Sequence, residues 1–361
     1  MTFHRDRPHN ALPKLPPKAE LETKRVLKKL IGARTALAEL KETGKLLPNQ
    51  AVLIQTIGLQ EAKLSSEIEN VVTTHDALFR ALADATKPTD PATKEVLAYK
   101  DALWRGYHVV KVERRPLSTP LFEELVGTIK GAAIGVRKVP GTKLANTAGE
   151  VIYTPPEGEP RLRELLANLE KFIHADDELD PLVRLAVMHY QFEAIHPFSD
   201  GNGRTGRILN ILFLVEKGLL DIPVLYLSRY ILEHKTDYYR GLRAVTEEGA
   251  WERWVLYMLD AVESMARLTR ERMLAILELL EQTRALVQEQ LPKIYSKDLV
   301  EALFRYPYTK ISFLEQAKLG NRITVTRYLR ELVRIGVLEQ SKVGRDLYFL
   351  NKPFWRLLEG K

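Results

Sequence analysis

The chain has 361 residues, of which 45% are hydrophobic, so it is long enough for two or three domains with buried cores. It contains no cysteine, which excludes disulfides, thiolate zinc sites and cysteine nucleophiles. The formal net charge is +7, and residues 293–361 carry 14 of the 54 Lys and Arg but 7 of the 47 Asp and Glu, so the basic excess is C-terminal. No apolar run reaches the roughly 18 residues of a membrane span, and no signal peptide is recognisable, so we expect a soluble, cytoplasmic protein.

Helix-forming residues with a helical period predict a mainly α protein with few, short strands. The first 20 residues are rich in Pro and Lys and are expected to be extended. Helices are predicted over residues 21–46, 49–70, 76–85, 104–129 (with interruptions), 161–174, 181–194, 203–217, 229–244 and 249–290. Gly, Pro, Asn and Thr surround two short apolar runs, 135–139 and 151–153, and this pattern predicts a β-hairpin over 135–156.

Residues 196–207, HPFSDGNGRTGR, combine the groups that a polyphosphate site needs. The glycines let backbone N–H groups approach a ligand closely, and the helix that begins there directs its positive N-terminus at the same place. Arg204 and Arg207 add guanidinium groups suited to phosphate, and Asp200 is an oxygen ligand suited to Mg²⁺. His196 is the side chain of this segment that takes a proton near neutral pH, so it is the candidate general base.

Two other phosphate-binding interpretations of this segment fail. Residues 201–206 match the dinucleotide pattern G-x-G-x-x-G, but the preceding residues have a helical pattern, and no acidic ribose ligand follows on a strand. A P-loop requires Lys and then Ser or Thr after its last glycine, whereas Gly206 is followed by Arg207 and Ile208. The alternative to a phosphate site is then a solvated loop that only caps a helix.

The segment resembles the signature of the Fic family, H-x-F-x-[DE]-G-N-G-R-x-x-R, at every fixed position. The resemblance implies a helical bundle with a β-hairpin flap, and transfer of AMP from ATP to a hydroxyl of a target protein. It also implies that His196 deprotonates the acceptor hydroxyl, that Phe198 anchors the loop, and that Asp200 binds Mg²⁺. The ATP-binding residues implied by the resemblance are Gly201, Asn202, Gly203, Arg204, Thr205, Gly206, Arg207 and, further along the chain, Tyr239. The flap would align an extended target segment by strand addition.

Residues 63–70, KLSSEIEN, resemble the inhibitory motif of the same family, [ST]-x-x-x-E-[GN], placed before the catalytic core. Ser65 and Glu69 lie four residues apart on one face of a predicted helix, and Asn70 follows them. By this resemblance Glu69 pairs with Arg207 and holds ATP in a non-productive pose, so replacing Glu69 with Gly should raise activity. The same glutamate could instead support removal of AMP from a modified protein.

The basic C-terminal region has the pattern of a winged helix. Its predicted elements are, in order, helices over 296–304, 311–318 and 324–335, with a turn at Gly320 and Asn321 before the last, and strands over 338–340 and 347–350 that flank Gly344. Arg327, Arg330 and Arg334 share one face of the recognition-type helix. That face could contact DNA phosphates, or it could be a solvated basic face on a dimerisation or target-docking module.

We therefore expect three domains: an N-terminal helical region with the inhibitory helix (1–95), a Fic catalytic core with a connector helix (96–290) and a winged helix (291–361). The expected function is an ATP- and Mg²⁺-dependent protein adenylyltransferase, inhibited by Glu69, that modifies a Tyr, Thr or Ser hydroxyl on a target or on itself. A homodimer is compatible with the long connector helix. Three alternatives stay open: removal of AMP, transfer of another nucleotidyl or phosphate group, and a DNA-binding regulator with a Fic sensor core.

Overall fold

The computed structural model describes residues 3–46, 50–83, 90–146, 148–343 and 346–359. Within these ranges the chain is mainly helical, as expected, with two small antiparallel sheets. The helices are α1 (Lys24–Lys45), α2 (Gln50–Ile68), α3 (His75–Ala83), α4 (Pro91–Lys111), α5 (Thr119–Lys130), α6 (Glu159–Ile173), α7 (Pro181–Ile195), α8 (Asn202–Glu216), α9 (Leu227–Glu233), α10 (Lys235–Glu248), α11 (Trp251–Gln290), α12 (Lys297–Arg305), α13 (Ile311–Gln316), α14 (Arg322–Arg334) and α15 (Lys352–Glu359). The strands are β1 (Leu144–Ala145), β2 (Val151–Tyr153), β3 (Tyr308–Thr309), β4 (Glu339–Val343) and β5 (Asp346–Leu350). None of the helices in these ranges is both long and apolar enough to cross a membrane.

Helices α7 and α8 form the centre of the molecule. Pro181 occupies the first turn of α7, and the side chain of Asp180 caps the helix by accepting a hydrogen bond from the backbone N–H of Leu182 (2.8 Å). Pro197 cannot continue the helix, so α7 ends at Ile195. Nearly all side chains of both helices are buried, because α4, α5, α6 and α11 pack around the pair.

The N-terminal helices pack directly on this centre. Helix α1 lies along α11, and α2 contacts α4, α9 and α12. Before α1, the backbone N–H of Leu15 donates to Oδ1 of Asn168 on α6 (2.7 Å). One cluster of buried apolar side chains extends from Leu12 to Leu358. Because this cluster crosses all three expected domains, the boundaries between them stay a prediction.

A small hairpin of β1 and β2, the flap, lies beside the C-terminal end of α7. The second predicted strand, over 151–153, is confirmed by β2. The first, predicted over 135–139, is wrong, because the strand that pairs with β2 lies later in the chain. Residues 135–139 instead follow the loop after α7, since the backbone N–H of Arg137 donates to the carbonyl of Pro197 (2.8 Å). That N–H is therefore not available to a strand partner.

Two predicted helices are divided or displaced in the structure. The helix predicted over 104–129 is wrong in its bounds, because α4 begins much earlier and α5 is a separate helix. Asp90 caps α4 by accepting a hydrogen bond from the N–H of Thr93 (2.8 Å), and Pro91 fits the first helical position. Pro91 thus marks the start of α4. The helix predicted over 229–244 is divided at His234 into α9 and α10.

The C-terminal unit consists of α12, β3, α13, α14, β4, β5 and α15. Its antiparallel sheet has the order β3-β5-β4. The three predicted helices and two predicted strands occur within a few residues of their expected positions, whereas Gly344 lies outside the described residues. Strand β3 and helix α15 were not predicted. Helix α15 packs on α11, and its Leu358 carbonyl accepts a hydrogen bond from Nε2 of Gln60 on α2 (2.9 Å).

Candidate active site

The loop between α7 and α8 is held by two unusual backbone conformations. His196 ends α7 with φ 49° and ψ 59°, in the left-handed region. Gly201 ends the loop with φ 81°, and a Cβ at this position would lie 2.9 Å from Cγ2 of Val126. Position 201 therefore requires glycine both for its backbone conformation and for space. The loop is a fixed connection between the C-terminus of α7 and the N-terminus of α8.

Asn202 fixes the middle of the loop from within. Its Oδ1 accepts a hydrogen bond from the backbone N–H of Phe198, and its Nδ2 donates to the Phe198 carbonyl, both at 2.8 Å. The Phe198 ring is buried beside Phe192 of α7, with 6.3 Å between the ring centroids. The loop is thus anchored by a buried ring and by an amide that satisfies the backbone around it. The side-chain amide of Asn202 therefore serves to hold the shape of the loop.

His196 is partly buried and neutral at physiological pH. Burial, together with the charge of Arg137, lowers the pKa of its imidazole to about 4, against smaller opposing effects of Glu69 and Asp200. Its Nδ1 is buried. Nε of Arg137 donates to the His196 carbonyl (2.8 Å), which ties the segment before the flap to this loop. A neutral imidazole accepts a proton on its unprotonated nitrogen, and since Nδ1 is buried, Nε2 is the nitrogen that could take a proton from a substrate.

The carboxylate of Glu69, which follows the end of α2, lies over the N-terminus of α8. A Cβ at Gly203, in the first turn of α8, would lie 2.4 Å from Oε1 of Glu69. The N-terminus of a 15-residue helix attracts anions through its unpaired N–H groups and its dipole. Glu69 therefore rests where these groups would otherwise hold a phosphate. Thr205, in the same turn, has a buried hydroxyl without a partner in the described part of the chain.

Arg207 is buried and bound to the segment 63–70 through three contacts. Its Nε donates to Oγ of Ser65 (2.7 Å), and its Nη2 donates to the Ser65 carbonyl (2.9 Å) and to Oε1 of Glu69 (2.8 Å). Burial raises the pKa of the Glu69 carboxyl, but the charge of Arg207 and its hydrogen bond outweigh burial and hold that pKa below its ordinary value. The two sequence motifs thus meet in a charge-assisted contact.

The end of α2 gives a physical reason for the asparagine after Glu69. The N–H of Asn70 donates to the Glu67 carbonyl, and the N–H of Val71 donates to the Ser66 carbonyl, both at 3.0 Å, which is the Schellman pattern. Asn70 has φ 62°, in the left-handed region that Gly and Asn adopt most readily. This turn stops the helix and presents Glu69 to α8.

Asp200 and Arg204 belong to a cluster of four charged side chains that also includes Lys130 and Glu95. Oδ2 of Asp200 lies 2.5 Å from Nζ of Lys130, and its Oδ1 lies 3.6 Å from Nη2 of Arg204. Glu95 of α4 binds both cations, through Nη1 of Arg204 and through Nζ of Lys130 (3.2 Å). Burial raises the pKa of Asp200, but the hydrogen bond and charge of Lys130 lower it below its ordinary value. With its side chain 57% exposed, Asp200 is an ionised carboxylate open to solvent.

Tyr239 lies on α10 and is 41% exposed. Burial and then the charge of Glu69 raise the pKa of Tyr239 to about 12. The neighbouring Tyr238 is buried, and its hydroxyl meets Nε2 of His189 (2.8 Å), whose Nδ1 meets Nδ2 of Asn210 (3.1 Å). Burial lowers the pKa of His189 to about 3, so His189 is a neutral, packed side chain.

Two carboxyls near Arg207, a half-buried one and a buried one, were not predicted from the sequence. Oε1 of Glu193 on α7 has no partner within the described residues, and a Cβ at Gly206 would lie 2.5 Å from it. Glu61 of α2 is completely buried. Burial raises the pKa of each carboxyl to about 7, although the charge of Arg207 lowers both. Helical spacing could have found Glu193, because it precedes His196 by three residues on the same helix.

Comparison with known proteins identifies the family of this site. The Fic/DOC family N-terminal model matches residues 27–108, and the Fic/DOC family model matches residues 120–214. A third model, described as protein adenylyltransferase SoFic-like, C-terminal domain, matches residues 279–354. The second match contains the whole loop from His196 to Arg207. These matches define a Fic/DOC-type core with a SoFic-like C-terminal domain. The chain belongs to the Fic family.

Similar proteins and structures come from bacteria and animals. Over 77 residues the chain is 39% identical to the probable protein adenylyltransferase aq_aa38 of Aquifex aeolicus, and over 110 residues it is 33% identical to the protein adenylyltransferase Fic of Culex quinquefasciatus. These segments cover 21% and 30% of this chain but 23% and 21% of those proteins. The fold resembles that of a Fic family protein from Desulfovibrio desulfuricans (TM-score 0.56, 20% identity, 93% of this chain and 98% of that one). It also resembles Fic-1 of C. elegans (TM-score 0.54, 20% identity, 70% of this chain and 73% of that one).

Proposed function

We propose that the protein transfers AMP from ATP to a hydroxyl group of a protein, with release of pyrophosphate. The observation that carries the proposal is the loop, which joins a neutral imidazole at one end to a helix N-terminus with two buried arginines at the other. Two relatives that share part of this sequence are described as protein adenylyltransferases, which supports the same reaction here.

His196 is the proposed general base. It takes the proton of the acceptor hydroxyl as the hydroxyl oxygen attacks the α-phosphorus, the bond to the bridging oxygen breaks, and pyrophosphate leaves. The backbone N–H groups at the start of α8, with Arg204 and Arg207, would hold the phosphates in line with the attack. Fixed positive groups of this kind supply most of the rate in phosphoryl-type transfers, because they need no reorganisation during the reaction.

Asp200 fits the role of a Mg²⁺ ligand in this reaction. Its ionised carboxylate already holds a cation, the ammonium of Lys130 at 2.5 Å. Among the described residues no group of three or more His, Asp or Glu side chains could hold a metal, so phosphate oxygens and water would supply most of the ligands. When bound, Mg²⁺ would neutralise charge on the phosphates and orient them.

The rest of the site would bind the nucleotide base and the target. Tyr239 is exposed on α10 and feels the charge of Glu69, so its ring could flank the nucleotide. The flap offers a strand edge to which an extended target segment could add. Strand addition recognises backbone, so the acceptor could be a Ser, Thr or Tyr hydroxyl of another protein or of a second copy of this chain.

We also propose that Glu69 inhibits the reaction in the conformation described here. Its carboxylate covers Gly203 and occupies Arg207, so it takes both the helix terminus and one cation that the phosphates would use. ATP would then bind without the outer phosphates in the productive position. The charge of Glu69 opposes the lowering of the His196 pKa, and this electrostatic coupling supports a second candidate function, in which the two groups position water for removal of AMP from a modified protein.

The proposed function is tested by labelling with ATP that carries the label on its α-phosphate, in the presence of Mg²⁺. We expect strong labelling of protein by Glu69→Gly, weak labelling by the wild type, and none by Glu69→Gly/His196→Ala. Glu67→Gly is the matched control, because it puts a glycine in the same turn of α2 but removes a side chain that pairs with Lys63 instead of Arg207. It should label like the wild type.

Other outcomes would select another function. Label transferred from the γ-phosphate would show phosphate transfer, and label transferred only from another nucleoside triphosphate would change the donor. If protein labelled by Glu69→Gly loses its AMP when wild type is added, but not when Glu69→Gly is added again, removal of AMP is the activity of the wild type. No labelling by any variant that still binds ATP would overturn the proposal.

A further inference from the structure

The C-terminal unit has the geometry of a helix-turn-helix followed by a hairpin. Helices α13 and α14 pack on each other and are joined by a short turn in which Lys318 has φ 59° and Gly320 has φ 148°. Asn321 caps α14 by accepting a hydrogen bond from the N–H of Thr324 (3.0 Å). Strands β4 and β5 form the hairpin that follows, and β3 closes the sheet on the far side of β5. Proteins with this order of elements present the second helix of the pair to a partner.

The outward face of α14 is a stripe of three arginines and one isoleucine. Ile323, Arg327, Arg330 and Arg334 are all exposed and follow each other at intervals of four, three and four residues, which places them on one side of the helix. Val325, Leu329 and Leu332 cover the opposite side and are buried. The stripe is therefore fixed in direction by the packing of the helix against the unit.

Charge on this stripe is almost uncompensated. Glu331 is the acidic residue of α14, and it pairs with Arg334 at 2.9 Å. Arg327 lies over the ring of Tyr328, with 5.7 Å to the ring centroid, and neither Arg327 nor Arg330 has an acidic partner among the described residues. Lys342 of β4 is also exposed, but Glu339 and Asp346 belong to the same hairpin, so the basic surface is the face of α14 itself. A helix face with unpaired cations has the charge pattern of a nucleic-acid surface.

We propose that the C-terminal unit binds duplex DNA, with α14 in the major groove. A helix of this length is about 20 Å long, and the groove admits an α-helix. Guanidinium groups bind phosphate oxygens and the edge of guanine, and an exposed isoleucine near the N-terminus of the helix suits a thymine methyl group. A protein-docking face would instead be expected to have an apolar centre, and Ile323 alone, 83% exposed, does not provide one. The proposal does not depend on AMP transfer, because α14 carries none of the residues of the loop.

The test uses the full chain and a fluorescent duplex of mixed sequence, two to three helical turns long, with binding followed by anisotropy at several salt concentrations. The variant Arg327→Ala/Arg330→Ala removes two charges from the stripe. Its matched control is Lys24→Ala/Lys28→Ala, which removes two exposed charges from α1 that have no acidic partner in the described residues. We expect the stripe variant to bind at least about tenfold more weakly and to lower the salt slope by about two, and the control to bind like the wild type.

Three results would overturn the proposal. The first is the absence of binding to the duplex even at low salt. The second is equal loss in the stripe variant and in the α1 control, which would show a response to net charge only. The third is tighter binding to single-stranded DNA or to RNA of the same sequence than to the duplex. Because the stripe is far in sequence from the loop, the stripe variant placed in the Glu69→Gly background should retain AMP transfer, which separates a loss of DNA binding from a loss of folding.

Discussion

Arg204 and Arg207 begin the same helix, and their side chains are almost completely buried, with 4% and 2% exposed. Each is bound to one glutamate, Arg204 to Glu95 and Arg207 to Glu69. The two glutamates differ in what holds them. Glu95 lies inside α4, which packs against α5 and α8, whereas Glu69 lies in the turn just beyond the end of α2.

The same kind of ion pair can therefore build a site or close it. Glu95 cannot leave Arg204 unless α4 moves, so it is expected to position that arginine for a substrate. Glu69 can leave Arg207 by a change in a few backbone torsions of one turn, so it is expected to compete with the substrate for that arginine. A buried arginine that loses its ion-pair partner is destabilised, so Glu69 is expected to leave Arg207 only when another anion takes its place.

The largest expected effects are opposite in sign for the two glutamates. Glu69→Gln removes the charge that competes with phosphate and should raise AMP transfer about a hundredfold over the wild type. Glu95→Gln, made in the Glu69→Gly background, loosens Arg204 and should lower transfer by about tenfold to a hundredfold, since small misplacements of a positioning group have effects of this size. Initial rates of labelling give both values. If Glu95→Gln made in the wild type also raised the rate, the two glutamates would not differ as proposed.

The next effect concerns the second carboxyl near each arginine: Asp200 beside Arg204 is ionised and open to solvent, whereas Glu193 near Arg207 is not. Glu193 has a pKa raised from 4.5 to about 7 by burial, so the folded state favours its protonated form. A raised carboxyl pKa contributes stability that is present below pH 4.5 and is lost as the pH rises through 7. When the pH is raised from 5 to 8, the free energy of unfolding of Glu193→Gln should therefore increase by about 2 kcal/mol relative to that of the wild type.

Urea unfolding of both proteins at the two pH values measures this difference. Glu61 titrates over the same range but is present in both proteins, so its contribution cancels. The same relative stability at pH 5 and pH 8 would mean that Glu193 is ionised throughout. It would then be a second permanent partner of Arg207, and removal of Glu69 would not leave that arginine free for phosphate.

The sequence predicted the loop from His196 to Arg207 and the motif with Glu69, but not the contacts that position them. The loop was found because its glycines and charges are local, and Ser65 and Glu69 were found because four residues separate neighbours on a helix. Glu95, Lys130 and Arg137 were missed, because their importance comes from contacts between distant parts of the chain that no local spacing encodes. Glu193 was missed although its spacing from His196 is local. The first flap strand was misplaced for the same reason, since Arg137 is held by the loop rather than by a strand partner.

A smaller effect is expected from the Ser65 hydroxyl, which contacts the same arginine as Glu69. Oγ of Ser65 accepts one hydrogen bond from Arg207, and hydrogen bonds to charged groups contribute about 1.5–3 kcal/mol, part of which the Ser65 carbonyl retains. Ser65→Ala should therefore raise AMP transfer by about tenfold at most, well below Glu69→Gln. Ser66→Ala is the matched control, because the neighbouring hydroxyl is buried but has no partner within the described residues. Equal effects of the two substitutions would show that helix packing, and not the contact to Arg207, sets the inhibition.

The smallest effect tests whether α2 is held in place from behind by the C-terminal unit. Trp355 of α15 packs against the rings of Phe79 on α3 (5.3 Å between centroids) and Tyr308 on β3 (5.4 Å). Helix α15 also accepts the hydrogen bond from Gln60, nine residues before Glu69 on α2. Trp355→Ala should loosen α2 and α3 and raise wild-type AMP transfer about threefold, since aromatic truncation removes packing but leaves the Arg207 contacts in place.

A matched background separates this effect from a general loss of stability. If Trp355 acts through the position of Glu69, Trp355→Ala should change nothing in the Glu69→Gly background, where no inhibition is left to relieve. A lower rate in both backgrounds would instead mean that the C-terminal unit supports the fold of the catalytic core. A threefold rise confined to the protein with Glu69 would show that α15 helps to hold Glu69 against Arg207. Glu95 would then differ from Glu69 in a second way, because it pairs with Arg204 without support from the C-terminal unit.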